Sequence, residues 1–194
     1  MGYNVRVRFL LALFFMMIVS GCGGSVIRYI NPAADFSYIQ KVAVLPFNNL
    51  SDDKYAGERV RSAFTIDLLS REVFDVVEQG EVNNVLSVIV GQSGAAEGKA
   101  VNFDKETLSL IGEKLGVRAV IMGSVDDYKK GGFGAGSTVA LSVRLLDTGS
   151  GTILWQARSI ESGGSFWRKM LGLDELDNNL LTQKAVRSAL NTLF

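Results

Sequence analysis

The hydrophobic pattern changes character after residue 35. Before it lies one unbroken apolar run, FLLALFFMMIV at residues 9–19; after it, apolar positions recur at strand and helix spacings. Residues 41–47 (KVAVLPF) are rich in β-branched side chains and read as a buried strand, which Pro46 ends because proline cannot donate to a ladder. A helix is predicted over 54–72, with Val60, Ala63, Phe64 and Leu68 as its buried stripe. Residues 74–78 (FDVVE) read as a second short strand. Val82, Val85, Leu86, Ile89 and Val90 fall at i, i+3, i+4, i+7 and i+8, which predicts a helix over 81–90. A third helix runs from an Asp104 N-cap to a left-handed Gly116, with Leu108, Ile111 and Leu115 facing inward. Residues 117–125 (VRAVIMGSV) are apolar on both faces apart from Arg118, so this strand belongs at the centre of a sheet. Val139, Leu141, Val143 and Leu145 alternate with smaller or polar residues, and Ile153, Trp155 and Ala157 do the same. The turn residues DTGSG (147–151) separate these strings, which predicts an antiparallel hairpin. Leu181, Ala185, Ala189 and Leu193 line a C-terminal helix. The order β-α-β-α-α-β-β-β-α predicts an α/β (α+β) domain over 36–194, a mixed sheet of about five strands with helices packed on it.

Composition fits a single folded domain: 194 residues, 47% hydrophobic and 21% charged. It also narrows the chemistry. The chain has no histidine and one cysteine, which excludes serine and cysteine triads, His/Cys zinc sites and intrachain disulfides. Twenty basic residues balance twenty acidic ones, so no net positive charge draws the chain to nucleic acid. No cofactor, metal, small-molecule substrate or enzymatic activity is expected.

The lone cysteine follows the apolar run. Arg6 and Arg8 precede that run, which falls short of the roughly 20 residues that span a bilayer and fits the core of a secretory signal. Val19-Ser20-Gly21-Cys22 resembles the lipobox of bacterial lipoproteins. The resemblance implies cleavage between Gly21 and Cys22, a diacylglycerol on the Cys22 thiol and a fatty acyl group, such as palmitate, on the new amine. Residues 1–21 are then a signal peptide, and 22–35 a lipidated cysteine with a short flexible tether. By the same resemblance, Gly23 rather than aspartate after the cysteine favours the periplasmic face of the outer membrane. Loss of Arg6 and Arg8 moves the mature chain to a net charge of −2.

Four features carry candidate chemistry. Asp147-Thr148-Gly149-Ser150 has the letters of an aspartic-protease loop, and a dimeric aspartyl hydrolase would need two such carboxylates sharing a proton. The same letters are turn formers between two strands. The glycine-rich residues 131–136, with Gly134 near their middle, lack the Lys-Ser/Thr of a phosphate loop and read as a hairpin connection or a partner-touching tip. Asp126 and Asp127 are adjacent and should point to opposite faces of a strand, while Asp52 and Asp53 read as helix-capping residues. Phe166, Trp167 and Met170 crowd the segment SFWRKMLGLDEL (165–176), which either covers one end of the sheet or meets a partner or membrane.

The segments KVAVLPF (41–47), FDVVE (74–78), LGVRAVIMGSV (115–125) and VRLLDTGSGTILW (143–155), in that order, resemble the curli-assembly lipoprotein family (CsgG-like). The resemblance runs from about residue 36 to the end. It implies a periplasmic domain like the TolB N-terminal domain and the peptidoglycan-synthase activators of the LpoB type. The chain departs from the pore-forming members of that family. Each membrane strand needs about 9–11 alternating residues, and the insertion points at 129–137 and 162–174 are too short for two long hairpins. The tether is also short for an activator that crosses the cell wall. The expected function is therefore an anchored assembly or secretion accessory that works through an envelope protein partner or self-association, with an LpoB-like regulator as the alternative.

Overall fold

Among the described residues, a single sheet of seven strands organises the fold. The computed structural model describes residues 24–92, 103–131, 136–163 and 177–194. The elements are β1 (Ser25–Ile30), β2 (Lys41–Val44), β3 (Asn48–Asn49), α1 (Ala56–Leu69), β4 (Asp75–Val76), α2 (Gln79–Gln92), α3 (Lys105–Leu115), β5 (Ala119–Lys129), β6 (Ser137–Asp147), β7 (Ile153–Gly163) and α4 (Asn178–Leu190). The strand order is β1-β7-β6-β5-β2-β4, with β3 also beside β5. The β2, β4 and β5 strands are parallel, as the crossover helices require, whereas β5, β6, β7 and β1 are antiparallel. The apolar strand expected at the centre, β5, lies between β6 and β2.

Two strands go beyond the sequence pattern. Asn48–Asn49 resumes pairing after Pro46 interrupts the chain. The larger correction concerns the tether: Ser25–Ile30 is not flexible chain but an edge strand, paired residue for residue with β7 from Ser25↔Ile160 to Ile30↔Trp155. Val26, Ile27, Tyr29 and Ile30 are strong strand formers, and β7 offers them a ladder whose partner residues lie some 130 positions away.

The helices cover the sheet unequally. On one face α1 and α4 bury Val60, Phe64, Leu68, Leu181, Ala185 and Leu190 against Val44, Ile121, Leu141, Val143 and Trp155. On the other, α2 and α3 bury Val82, Leu86, Ile89, Leu108 and Ile111 against Ala43, Leu45, Val120 and Met122. Both caps of α3 form as the sequence indicates: Asp104 accepts the Thr107 N–H at 2.9 Å, and Gly116 takes φ 62°. Gly123 in β5 is a close-approach glycine, since a Cβ there would lie 2.5 Å from the Phe47 ring, which packs on Phe64 at 5.7 Å.

Candidate interaction surface

Asp147 ends β6 and organises the tight turn into β7. Its Oδ1 accepts the Ser150 N–H at 2.7 Å and the Ser150 hydroxyl at 2.8 Å, and its Oδ2 accepts the Tyr38 hydroxyl at 3.2 Å. Gly151 closes the turn at φ 71°. Thr148 donates to the carbonyls of Val117 and Arg118, which ties the turn to the C-terminal end of α3. Both Asp147 oxygens are thus committed to holding local structure. Burial alone would push this carboxyl up, but the Ser150 amide and hydroxyl, the Tyr38 hydroxyl and the Arg118 charge outweigh it and hold the carboxyl below its usual value. A depressed folded value contributes stability above the unfolded carboxylate range and loses it as pH falls through the folded value. Asp147→Asn should therefore lower stability by about 1–3 kcal/mol at pH 7, and the difference from wild type should shrink below about pH 4. Urea unfolding at pH 7 and pH 3 measures it. An equal difference at both pH values would contradict the assignment.

The face covered by α2 and α3 is only half covered. Across β5, β6 and β7 it carries Ser124, Asp126, Ser142, Arg144, Gln156 and Arg158, and none of the described helices packs on it. The expectation that Asp126 and Asp127 diverge is corrected here. A bulge shifts the β5–β6 register between Val125 and Asp127, so two β5 residues oppose one on β6 and both carboxylates turn to this open face. Asp126 accepts the Ser124 and Ser142 hydroxyls at 2.7 Å each and pairs with Arg158 at 3.3 Å, while Asp127 pairs with Lys129 at 3.1 Å. Each carboxylate of the pair thus has its own cation beside it. Asp53 sits ahead of α1, where it accepts the Tyr55 N–H and pairs with Arg59. Among the described residues, no group of three or more acidic or cysteine side chains gathers to hold a metal, and no helix is long and apolar enough to cross a membrane.

The most exposed apolar element is β1. All six of its residues are exposed, with Ile27 at 70%, Tyr29 at 51% and Ile30 at 40%. Register places Ile27 and Tyr29 opposite Arg158 and Gln156 on the open face, and Arg28 and Ile30 opposite Ala157 and Trp155 on the helix-covered side. The outer backbone edge of β1 has no partner strand among the described residues. Sequence reasoning passes over this strand as tether, although its four β-forming side chains are the available signal. The expected contacts Phe166, Trp167, Met170 and Gly134 lie outside the described residues, as do Gly21 and Cys22.

No protein-family model and no curated protein matches the sequence. Solved structures do match. A PelC dodecamer from Paraburkholderia phytofirmans, in a point-substituted form, aligns at TM-score 0.58 and 18% identity, over 87% of this chain and 98% of that one. The protein CT253 from Chlamydia trachomatis aligns at TM-score 0.50 and 16% identity, over 79% and 95%. The LpoB C-terminal domain from Escherichia coli aligns at TM-score 0.47 and 16% identity, over 66% and 87%. At these identities the PelC and CT253 matches establish a common fold, a mixed sheet with helices on both faces, along nearly the whole length of each of those chains.

Proposed function

We propose that this protein is an outer-membrane lipoprotein, anchored through Cys22, whose periplasmic domain works by protein–protein contact. It acts as a self-associating assembly or secretion accessory of the CsgG-like kind, without pore-forming hairpins and without catalysis. The observation that carries the reading is β1. A six-residue exposed strand with four exposed large hydrophobic residues is a surface that a monomeric domain leaves open to unwanted pairing. PelC, which shares the fold, is a dodecamer, and this supports self-association here. The strand also supports a seat for the domain close to the membrane. Ser25 is three residues after Cys22, so the chain spans at most about 10 Å between lipid and sheet. That reach supports a domain held near the bilayer and weighs against the alternative, a regulator of a peptidoglycan synthase working across the cell wall.

Acyl chains contribute about 0.8 kcal/mol for each buried CH₂, so losing them should release the protein entirely. Cell fractionation tests this: wild type is expected in the outer-membrane fraction and Cys22→Ser outside it. Identical distributions of the two would overturn the anchor.

A further inference from the structure

The two free edges of the sheet differ in chemistry, and they complement each other. At one edge β1 presents Arg28 and Ile30 on the helix-covered side. At the opposite edge, beside β4, a groove of about 600 Å³ is lined by Phe36, Ile39, Val73, Phe74, Leu193 and Phe194. Val73 and Phe194 are about half exposed, and the exposed Glu72 stands on the groove's rim, while Asp75, opposite Lys41 in the ladder, turns to the other face. Among the described residues Arg28, Glu72 and Asp75 form no ion pair, whereas Arg71, which stacks on Phe194, is already paired with Asp67. Glu72 also holds φ 54°, a conformation that glycine takes at no cost, so an acidic side chain is kept at this rim at the backbone's expense.

We infer that the β1 edge of one copy seats against the β4 edge of the next, with Ile30 entering the groove and Arg28 facing Glu72. This rests on the self-association proposed above and specifies its interface. The strand directions allow it: β1 and β4 run opposite ways in the sheet, so the two edges meet antiparallel. Charge favours it over the obvious rival: an antiparallel β1–β1 pair would bring two copies of Arg28 into one interface and leave Glu72 unmatched. The β1-to-β4 contact keeps every anchor at the same end. It is also head-to-tail, the kind of contact that propagates and forms a ring where its rotation closes.

The test introduces Ile30→Cys and Val73→Cys, singly and together, into the full-length protein, with oxidation in its native membrane. The chain has one native cysteine, at the lipidation site, so the background is clean. The double variant is expected to give a ladder of two, three and more chain masses on a non-reducing gel, while wild type and each single variant stay at one mass. A dimer from Ile30→Cys alone would mean β1–β1 pairing and would overturn the inference. Absence of a ladder from the double variant, with a multimer of the detergent-extracted wild type by light scattering, would overturn this interface but leave self-association standing. A monomer by light scattering would overturn both. In parallel, Arg28→Glu should raise the concentration at which copies assemble at least tenfold, and adding Glu72→Arg should restore it. No rescue would count against the charge pairing.

Discussion

Replacing Trp155 by alanine is expected to lower the unfolding free energy by about 3–5 kcal/mol, the usual range for deleting a buried aromatic side chain. Trp155 is the largest fully buried side chain among the described residues, at the middle of the layer where β7 meets α4. Its indole N–H donates to the Thr192 hydroxyl at 3.0 Å, and that hydroxyl donates to the Ala189 carbonyl at 2.7 Å, so the ring also fixes the end of α4. The loss would take a large share of the roughly 5–15 kcal/mol that stabilises an ordinary domain. Trp155→Phe should lose less, about 1–2 kcal/mol, because the ring volume is mostly kept and Thr192 retains its bond to Ala189. Guanidinium unfolding followed by far-ultraviolet circular dichroism checks both, with a lower midpoint and an unchanged slope expected. A loss below about 1 kcal/mol for the alanine variant would mean that the α4 layer does not close over β7 as described.

Arg61 is the second strongly committed side chain. It is 6% exposed, yet it carries a guanidinium. Its Nε and Nη2 donate to the Val44 carbonyl at 3.1 and 2.7 Å, and its Nη1 donates to Asn83 Oδ1 at 3.0 Å. The reason lies in strand length. The two-residue β4 pairs only with Lys41 and Val42, so the Val44 carbonyl lies beyond its reach and Arg61 takes the place of the missing strand. Burial pulls this guanidinium down from its ordinary value, opposed by the charges of Glu78 and Glu58. Arg61→Ala should cost about 2–4 kcal/mol, from an unpaired carbonyl and lost packing. Arg61→Met keeps the stem and loses only the hydrogen bonds, and should still cost about 1–3 kcal/mol. Urea midpoints of the two variants separate the contributions. A methionine variant as stable as wild type would show that packing alone matters at this position.

How far the fold is legible depends on whether each signal is local. The α3 caps, the stripes of α1 and α4 and the 147–151 turn are readable because a residue and its partner lie within a few positions of each other. The extent of β5 is not. After Gly123 the sequence turns polar through Ser124, Asp126 and Asp127, and what keeps it a strand is the β6 ladder opposite. The bulge that brings both aspartates to one face is likewise a property of two strands together. β1 is the sharpest case: SVIRYI carries four β-formers, but its place beside the lipobox suggests linker, and only pairing with β7 decides the matter. Asp147 is legible as a turn residue, and its hydrogen bonds agree with that reading. The complementary edges are hidden in sequence because Arg28, Glu72 and Phe194 belong to the two sides of one sheet, which only the fold defines.

The proposed self-association requires a defined assembled mass. The most direct measurement is the mass of the mature protein, extracted from its membrane in mild detergent and determined by light scattering across a range of concentrations. One fixed multimer is expected, several times the mass of the chain from Cys22 to Phe194, that persists on dilution. A single-chain mass at every concentration would contradict self-association.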